Sequence, residues 1–439
     1  MRIVLVALEF PPLNTAGSVR PFRMADLLAN KGLDVTVLTL SKSEEFGIFQ
    51  KPNNLQLQSD NFNLIEVNPS YPDKIRRNKV RSWFSTGDFY LDAWEDDAVN
   101  ALLDDAESKG KPDFIIGTCP PFSTAKLIRK MGKVLDVPYI LDLRDAWSQW
   151  NVNPLTSYFH YRKVLSDERV CIKDSLITLT TSDQTRFDLI RLHQVENVVT
   201  VENGYDVPIE FPDQIRWNLD SIEKVTIGYV GSFYYDIAAH ERMHTPWYKR
   251  SPHRWLHFAP RLEDWTYRSP LYFFQILEAL FDQNPTWRQK IQIEFVGKVP
   301  SWLNKMISTF DFDDIVQLHG QVSLEESLLL QQKFDFFLGT SAKIQGQPDY
   351  SMGSKYYEAL QFLKPIIAVC GPSPLQDLVL KGKIGIVLDP DSAKGSAERL
   401  DAFFRKGEII LDTEFLASKS RSNQLDQLMP KLNKYNVHQ

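Results

Sequence analysis

The chain is poor in cysteine. Its three cysteines, Cys119, Cys171 and Cys370, lie far apart and form no CxxC pair. That excludes a disulfide framework and a cysteine zinc site, and it fits free thiols in a reducing cytoplasm. Positive charge is not in excess either: Lys and Arg number 50 against 56 Asp and Glu, a net charge of −6. A nucleic-acid partner, which calls for a basic face, is therefore not expected. No apolar run approaches the roughly 20 residues of a membrane span. The first apolar run ends at Glu9, Pro11 and Pro12 rather than at a small-residue cleavage site, so a signal peptide is not expected. Neither GxGxxG nor GxxxxGK[ST] occurs, which removes the usual dinucleotide and P-loop signatures.

What is present is an ordinary globular composition, 43% apolar, with an aromatic share of 12% that includes 10 Trp. A length of 439 residues favours two or three domains. Arg2–Leu8 is the apolar run of a strand buried on both faces. Glu9–Gly17 is a loop, Ser18 is a candidate helix cap with Pro21 in the first turn, and Gly32 stops the helix. Asp34–Leu40 is the next strand. This is one βαβ unit, with a loop and a helix start at the carboxyl end of its first strand, where open parallel sheets bind ligands.

Strand-like runs continue at 62–67, 113–117, 137–143, 175–180 and 197–202, with helical patterns between several of them. The stretch 71–107 is charged and aromatic, and reads as an irregular excursion with a helix near 92–107. The pattern breaks around Asn203–Trp217, at Gly204, Pro208 and Pro212. A second series then begins, with strands at 225–230, 291–296, 315–318, 334–338, 365–369 and 385–388. Ser323 and Glu326 form a capping box before a helix. The alternation predicts α/β architecture with two doubly wound domains, 1–210 and 220–415, and a polar C-terminal helix over 418–435 that packs back on the first. The segment 236–267, rich in His, Trp, Arg and Pro, is far longer than a normal βα loop and reads as an insertion.

Five short motifs follow one another. Phe10-Pro-Pro with Gly17 and Arg20 follows the first strand. Leu141–Trp147 reads LDLRDAW and carries Arg144 and Asp145 at a strand's carboxyl end. Val201–Asp206 reads VENGYD at the domain boundary. Gly228–Phe233 reads GYVGSF and holds Gly231 and Ser232. Gly353–Leu360 reads GSKYYEAL, with Lys364-Pro after it. Gly353 and Ser354 at a helix start would offer backbone N–H groups to an anion, and Lys355 a cation. Taken alone, Lys355 and Glu358 also fit a surface i,i+3 ion pair.

In this order the motifs resemble the GT-B glycosyltransferases, particularly the retaining family 4 (glycosyltransferase group 1). The resemblance covers almost the whole chain outside 71–107 and the insertion. It implies two Rossmann-like domains facing a cleft, the C-terminal one holding a nucleotide sugar and the N-terminal one the acceptor. It implies donor-binding roles for Gly17, Gly231, Ser232, Arg268, Gly353, Ser354, Lys355 and Glu358, with Glu358 on the ribose and Arg268 on the diphosphate. Arg144, Asp145 and Asp349 are the catalytic candidates by the same resemblance. The family commonly carries a pair of glutamates here; Glu358 matches the second, and Tyr350 stands at the first, with Asp349 beside it as a stand-in contact for the transferred sugar. The paired loop glycines of the family are Ala16 and Gly17 here.

The resemblance implies no cofactor and no required divalent metal, since Lys355, Arg268 and helix dipoles can neutralise a diphosphate. The partners are then a nucleotide sugar and a glycan or lipid-linked acceptor, in the cytoplasm, with peripheral contact at the membrane's inner face left open. The oligomeric state is not set by the sequence. A nucleotide-sugar-binding subunit without transfer activity, favoured by Tyr350, and a GT-B epimerase stay open. So does a structural zinc site: His240–His244 reads HERMH, an HExxH pattern, and His253 and His257 repeat its spacing. The nearby Pro246 and Pro252 argue against a protease. The aromatics and cations of the insertion (Trp247, Tyr248, Arg250, Trp255, Arg261, Trp265) suit an acceptor or a membrane surface.

Overall fold

The computed structural model describes residues 1–13, 16–40, 59–68, 89–149, 155–233 and 235–436. The expected excursion after residue 71 lies outside them as far as residue 88; its described end is a helix, Phe89–Lys109. Two compact units divide the chain. The first comprises Met1–Val201, Pro246–Pro260 and the stretch from Leu428; the second comprises Glu202–Thr245 and Arg261–Gln427.

In the first unit β1 (Arg2–Val6), β2 (Asp34–Leu40), β3 (Asn63–Val67), β4 (Phe114–Cys119), β5 (Tyr139–Leu143), β6 (Ile177–Thr180) and β7 (Val198–Thr200) form one sheet, ordered β3-β2-β1-β4-β5-β6-β7. All its pairings are parallel, for instance Leu5 with Ile116 and with Val37. Every residue of β1, β4 and β5 is buried, which is why these strands read as continuous apolar runs. The helix after β1 spans Ala16–Asn30, so it starts before Ser18. Ser18 is not its cap: the hydroxyl donates to Leu13 O at 2.6 Å, and Pro21 lies inside the helix. A backward hydrogen bond from the serine closes the loop, which a cap assignment from residue type could not distinguish.

In the second unit β8 (Gln214–Arg216) leads into β9 (Val225–Val230). The short β10 (Glu263–Asp264) follows, then β11 (Ile291–Val296), β12 (Val316–Gly320), β13 (Phe336–Thr340), β14 (Lys343–Ile344), β15 (Ile366–Val369), β16 (Gly385–Leu388) and β17 (Glu408–Ile410). Six of these make a parallel sheet, ordered β12-β11-β9-β13-β15-β16. β10 pairs antiparallel with β14, and β8 with β17. Its core is built from Ile227, Phe273, Ile293, Phe336, Ile367 and Phe404, all buried. Ser323 caps the helix Leu324–Lys333, accepting from Glu326 N at 3.1 Å.

Each sheet reverses its strand order once, beside β1 and beside β9. The loops leaving the carboxyl ends there are where backbone can meet a ligand. The three cysteines are buried free thiols, and burial pushes Cys171 and Cys370 up to about 12.

Candidate functional site

β9 ends in a turn that only glycine adopts easily. Gly231 has φ +106°, and its N–H donates to Val296 O at 2.7 Å. Gly297, after β11, lies against it: a Cβ there would fall 2.5 Å from Gly231 O. The far side of the Gly231 turn faces Lys355, whose Nζ lies 3.6 Å from where a Gly231 Cβ would be. Lys355 sits in the helix Ser354–Ala359, which is only 6 residues long and has Gly353 as a cap without a side-chain bond. So short a helix carries little dipole, and Lys355 is the main positive element of its start.

The Lys355 amine donates to the Tyr229 hydroxyl and lies 3.6 Å from that ring's centroid. Tyr229 stacks on Phe233, with centroids 4.0 Å apart. Among the described residues no carboxylate pairs with Lys355, Glu358 included, so the surface ion pair is not formed. Burial pushes the amine well below the ordinary lysine range, and the Arg268 charge adds to this. An amine whose charge no carboxylate balances is poised to take up a proton when an anion arrives.

Arg268 ends the one-turn helix after β10. Its Nη2 donates to Ser351 Oγ at 2.7 Å and lies 3.8 Å from both Asp349 Oδ1 and Glu263 Oε2. Burial opposes its charge, but the Asp349 and Glu263 carboxylates hold the guanidinium above its ordinary value. Arg268 is thus already compensated, whereas Lys355 is not. Asp349 is buried and turned inward: its Oδ2 accepts from Ser341 Oγ at 2.7 Å and Ala342 N at 3.1 Å, and its Oδ1 from Ser351 N at 3.1 Å. These bonds shape the loop 341–351 and hold Ser351 against Arg268.

Tyr350 points at a residue that the sequence reading did not single out. Its hydroxyl donates to Glu263 Oε1 at 2.9 Å, and Trp265 Nε1 donates to Glu263 Oε2 at 2.8 Å. Glu263 is 2% exposed. It lies on a two-residue strand without periodicity, so only its nearness in sequence to Arg268 hinted at it. Gly231, Arg268, Asp349 and Lys355 are therefore brought together in the second unit. Gly353, Ser232 and Glu358 are exposed nearby in sequence, and Ser232 O accepts from Tyr229 Oη at 3.3 Å.

The remaining candidates lie in the first unit. Arg144 Nη2 pairs with Glu9 Oε2 at 3.2 Å and also donates to Pro120 O. Gly17 abuts this pair: a Cβ there would fall 1.5 Å from Glu9 Oε2 and 2.3 Å from Arg144 Nη1. Asp145 is half-buried beside Arg144. Arg20 is neither solvated nor open: it is 4% exposed and grips Asp142 with Nη2 at 2.7 Å and Nε at 3.0 Å, while Nη2 also donates to Val201 O at 2.9 Å. Thr118 Oγ1 supplies Asp142 with a further bond at 3.1 Å. This buried bidentate pair ties the first helix to β5.

The insertion has two parts. His240 and His244 share one face of the helix Ile237–His244, with ring centroids 4.3 Å apart. His240 Nε2 meets Asp264 Oδ1 at 3.2 Å and His244 Nε2 meets Glu263 O at 3.0 Å. The HExxH pattern thus fastens a helix to β10. No group of three metal-ligating side chains occurs among the described residues. The part Pro246–Pro260 belongs to the first unit, where Phe258 pairs by backbone with Leu155 and by ring with Tyr158 and Tyr161. It leaves Trp247, Tyr248, Trp255 and Leu256 at least half exposed. No helix among the described residues is long and apolar enough to cross a membrane.

The fold is that of known two-domain structures. The chain is similar to a sucrose-phosphate synthase from Thermosynechococcus elongatus at 14% identity, covering 99% of both chains with a TM-score of 0.60. It is similar to HepE of Anabaena in complex with UDP and glucose at 11% identity, covering 99% of this chain and 100% of that one, TM-score 0.53. A lipopolysaccharide outer core galactosyltransferase, WaaB, is similar at 11% identity over 99% of each chain, TM-score 0.57. No family model matches the chain, and no curated protein matches it in sequence. With its two parallel, doubly wound sheets the chain has the GT-B fold.

Proposed function

We propose that the chain is a retaining glycosyltransferase that moves a sugar from a nucleotide-sugar donor to a hydroxyl of a glycan or lipid-linked acceptor, in surface polysaccharide or glycoconjugate synthesis. The observation that carries this is Lys355: a desolvated amine with no carboxylate partner among the described residues, set against the left-handed Gly231 turn and near Arg268. A diphosphate suits an amine that becomes a cation beside it and such open backbone. The leaving diphosphate gains charge in the transition state, so a positioned cation lowers the barrier without a protein nucleophile. Arg268, held by Ser351, adds a second donor fork, and the exposed Glu358 is placed to accept a ribose diol. Gly353, Ser354 and Ser232 complete the phosphate side. This reading asks for no divalent metal.

The similar structures lend the same direction, one holding UDP and glucose and another named a galactosyltransferase. The exposed Trp247, Tyr248, Trp255 and Leu256, interleaved with Lys249, Arg250 and Arg254, suit a peripheral docking surface for an acceptor's lipid or sugar at the cytoplasmic membrane face. Arg144 and Asp145 are the acceptor-side candidates.

The experiment is a thermal-shift and turnover screen of UDP-, GDP-, ADP- and TDP-sugars with the full chain. Glu358→Ala should cost about 1.5–3 kcal/mol of donor affinity, the size of a hydrogen bond to a charged group. Unchanged nucleotide binding in both Glu358→Ala and Lys355→Ala moves the site elsewhere. Donor binding without transfer to any acceptor, and without donor rearrangement, makes the chain a binding subunit.

A further inference from the structure

A cavity of about 360 Å³ opens in the second unit at the carboxyl ends of β13, β15 and β16. It is in the size range of small-ligand sites. Its wall includes Tyr267, Lys343, Gln347, Gln376, Asp391 and Arg399. Neither Gly231 nor Lys355 lines it. Asp349 does, and Asp349 also braces Arg268, so the two places share one wall residue.

Part of the lining is preset. Tyr267 Oη donates to Asp391 Oδ1, and Lys343 Nζ donates to Asp391 Oδ2 and, at 3.2 Å, to the Tyr267 oxygen. The carboxylate holds Lys343 above its ordinary value, and Lys343 with Tyr267 holds Asp391 below its own. These groups are fixed before any ligand arrives. The rest of the lining is open: among the described residues, the side chains of Gln347, Gln376 and Arg399 have no hydrogen-bond or ionic partner.

The charge pattern decides the ligand class. The wall carries the carboxylates of Asp349, Asp389 and Asp391 against the cations of Lys343 and Arg399, and Lys343 is already paired. A phosphate or nucleotide would meet more anions than cations. A cation would find Asp349 and Asp391 taken by internal donors. An apolar ligand would leave two carboxamides and a guanidinium dry and unpaired, which is costly. A neutral molecule with many hydroxyls fits, since each hydroxyl both donates and accepts, as carboxamides do.

We propose that this cavity is a binding site for a neutral saccharide, separate from the anion site at Lys355. The proposal does not depend on sugar transfer, because it concerns binding alone. Free glycan and the sugar of a nucleotide donor share this chemistry, and the test separates them.

The test is saturation-transfer NMR on the full chain with methyl α-glucoside, methyl α-galactoside and maltose. The same samples are titrated with UDP to read the other site. At least one glycoside should give transfer that survives saturating UDP, and a Gln347→Ala/Gln376→Ala variant should weaken it at least fivefold while UDP affinity stays unchanged. Those side chains have no partners, so their removal spares the fold; Arg399→Ala serves as an independent second variant with the same expected loss. The proposal is overturned if no glycoside gives transfer at millimolar concentration. It is equally overturned if transfer persists in both variants, or if transfer vanishes with Lys355→Ala and with UDP, which would assign the sugar to the donor site.

Discussion

Tyr350 donates its phenolic hydrogen to Glu263, a carboxylate delivered by the strand that ends the insertion, at 2.9 Å. The position where the resembling family carries a glutamate thus presents a phenol, and a carboxylate from elsewhere meets it. Glu263 also accepts from Trp265 and lies 3.8 Å from Arg268. A segment read as an accessory loop therefore supplies part of the wall beside the proposed diphosphate site. Deleting all of 238–264 would remove that wall; deleting 246–260 would not.

The Tyr350 bond has a stability consequence. Tyr350→Phe leaves a buried carboxylate one donor short, at a cost of about 1.5–3 kcal/mol, and Glu263→Ala removes the acceptor that the buried Tyr350 hydroxyl and Trp265 indole share, at a similar or greater cost. Urea denaturation of both variants checks this. A loss below about 0.5 kcal/mol for Tyr350→Phe, the scatter of ordinary surface changes, would show the bond to be unimportant.

If nucleotide binds at Lys355, as proposed, that amine sets the pH dependence of binding. Burial, with the Arg268 charge, holds its amine well below the ordinary value of 10.5. A bound diphosphate raises it again, since an opposite charge favours the protonated form. Binding of a nucleotide there then takes up a proton, so affinity for the nucleotide found in the screen rises as pH falls through the range between the amine's bound and ligand-free values and levels off below the latter. Lys355→Arg, permanently charged, should bind with a flat profile over the same range. Calorimetry in two buffers of different ionisation enthalpy measures the proton uptake; a wild-type profile as flat as that of the arginine variant would remove Lys355 from the site.

Arg20 and Asp142 form a pair that acts on folding rather than on donor binding. Removing one partner strands a buried charge at a cost of about 3–5 kcal/mol, whereas replacing both with apolar residues of similar volume costs much less. Arg20→Met alone should therefore be less stable than the Arg20→Met/Asp142→Leu double variant. Equal stability of the two in chemical denaturation would contradict the reading.

His240 and His244 serve as fasteners for β10. Each replacement by alanine should cost about 1 kcal/mol, the net value of a hydrogen bond, and a chelator should leave the melting temperature unchanged. Stoichiometric zinc, lost when both histidines are replaced, would instead establish a structural metal site.

The sequence by itself determined the layered architecture. Strands such as Ile291–Val296 and Gly385–Leu388 were legible to the residue, because the first, IQIEFV, alternates buried apolar with partly buried polar residues and the second, GIVL, is a short apolar run with sharp breaks. Lys355 and Gly231, which the structure places side by side, were linked by motif order, and Arg268 was joined to them by the resemblance alone. What only the tertiary structure decided is who meets whom. Arg20 and Asp142 are 122 positions apart, Arg144 and Glu9 are 135, and Tyr350 and Glu263 are 87. No local period encodes such pairs, so a helix-start arginine looks solvated and a tyrosine looks like a missing glutamate until the chain is closed. The same holds for HERMH: spacing alone puts both imidazoles on one helix face, but whether they meet a metal or a strand depends on what packs opposite. The reason is physical: periodicity reports which face of an element is buried, while the partner on that face is chosen by sheet order and loop paths.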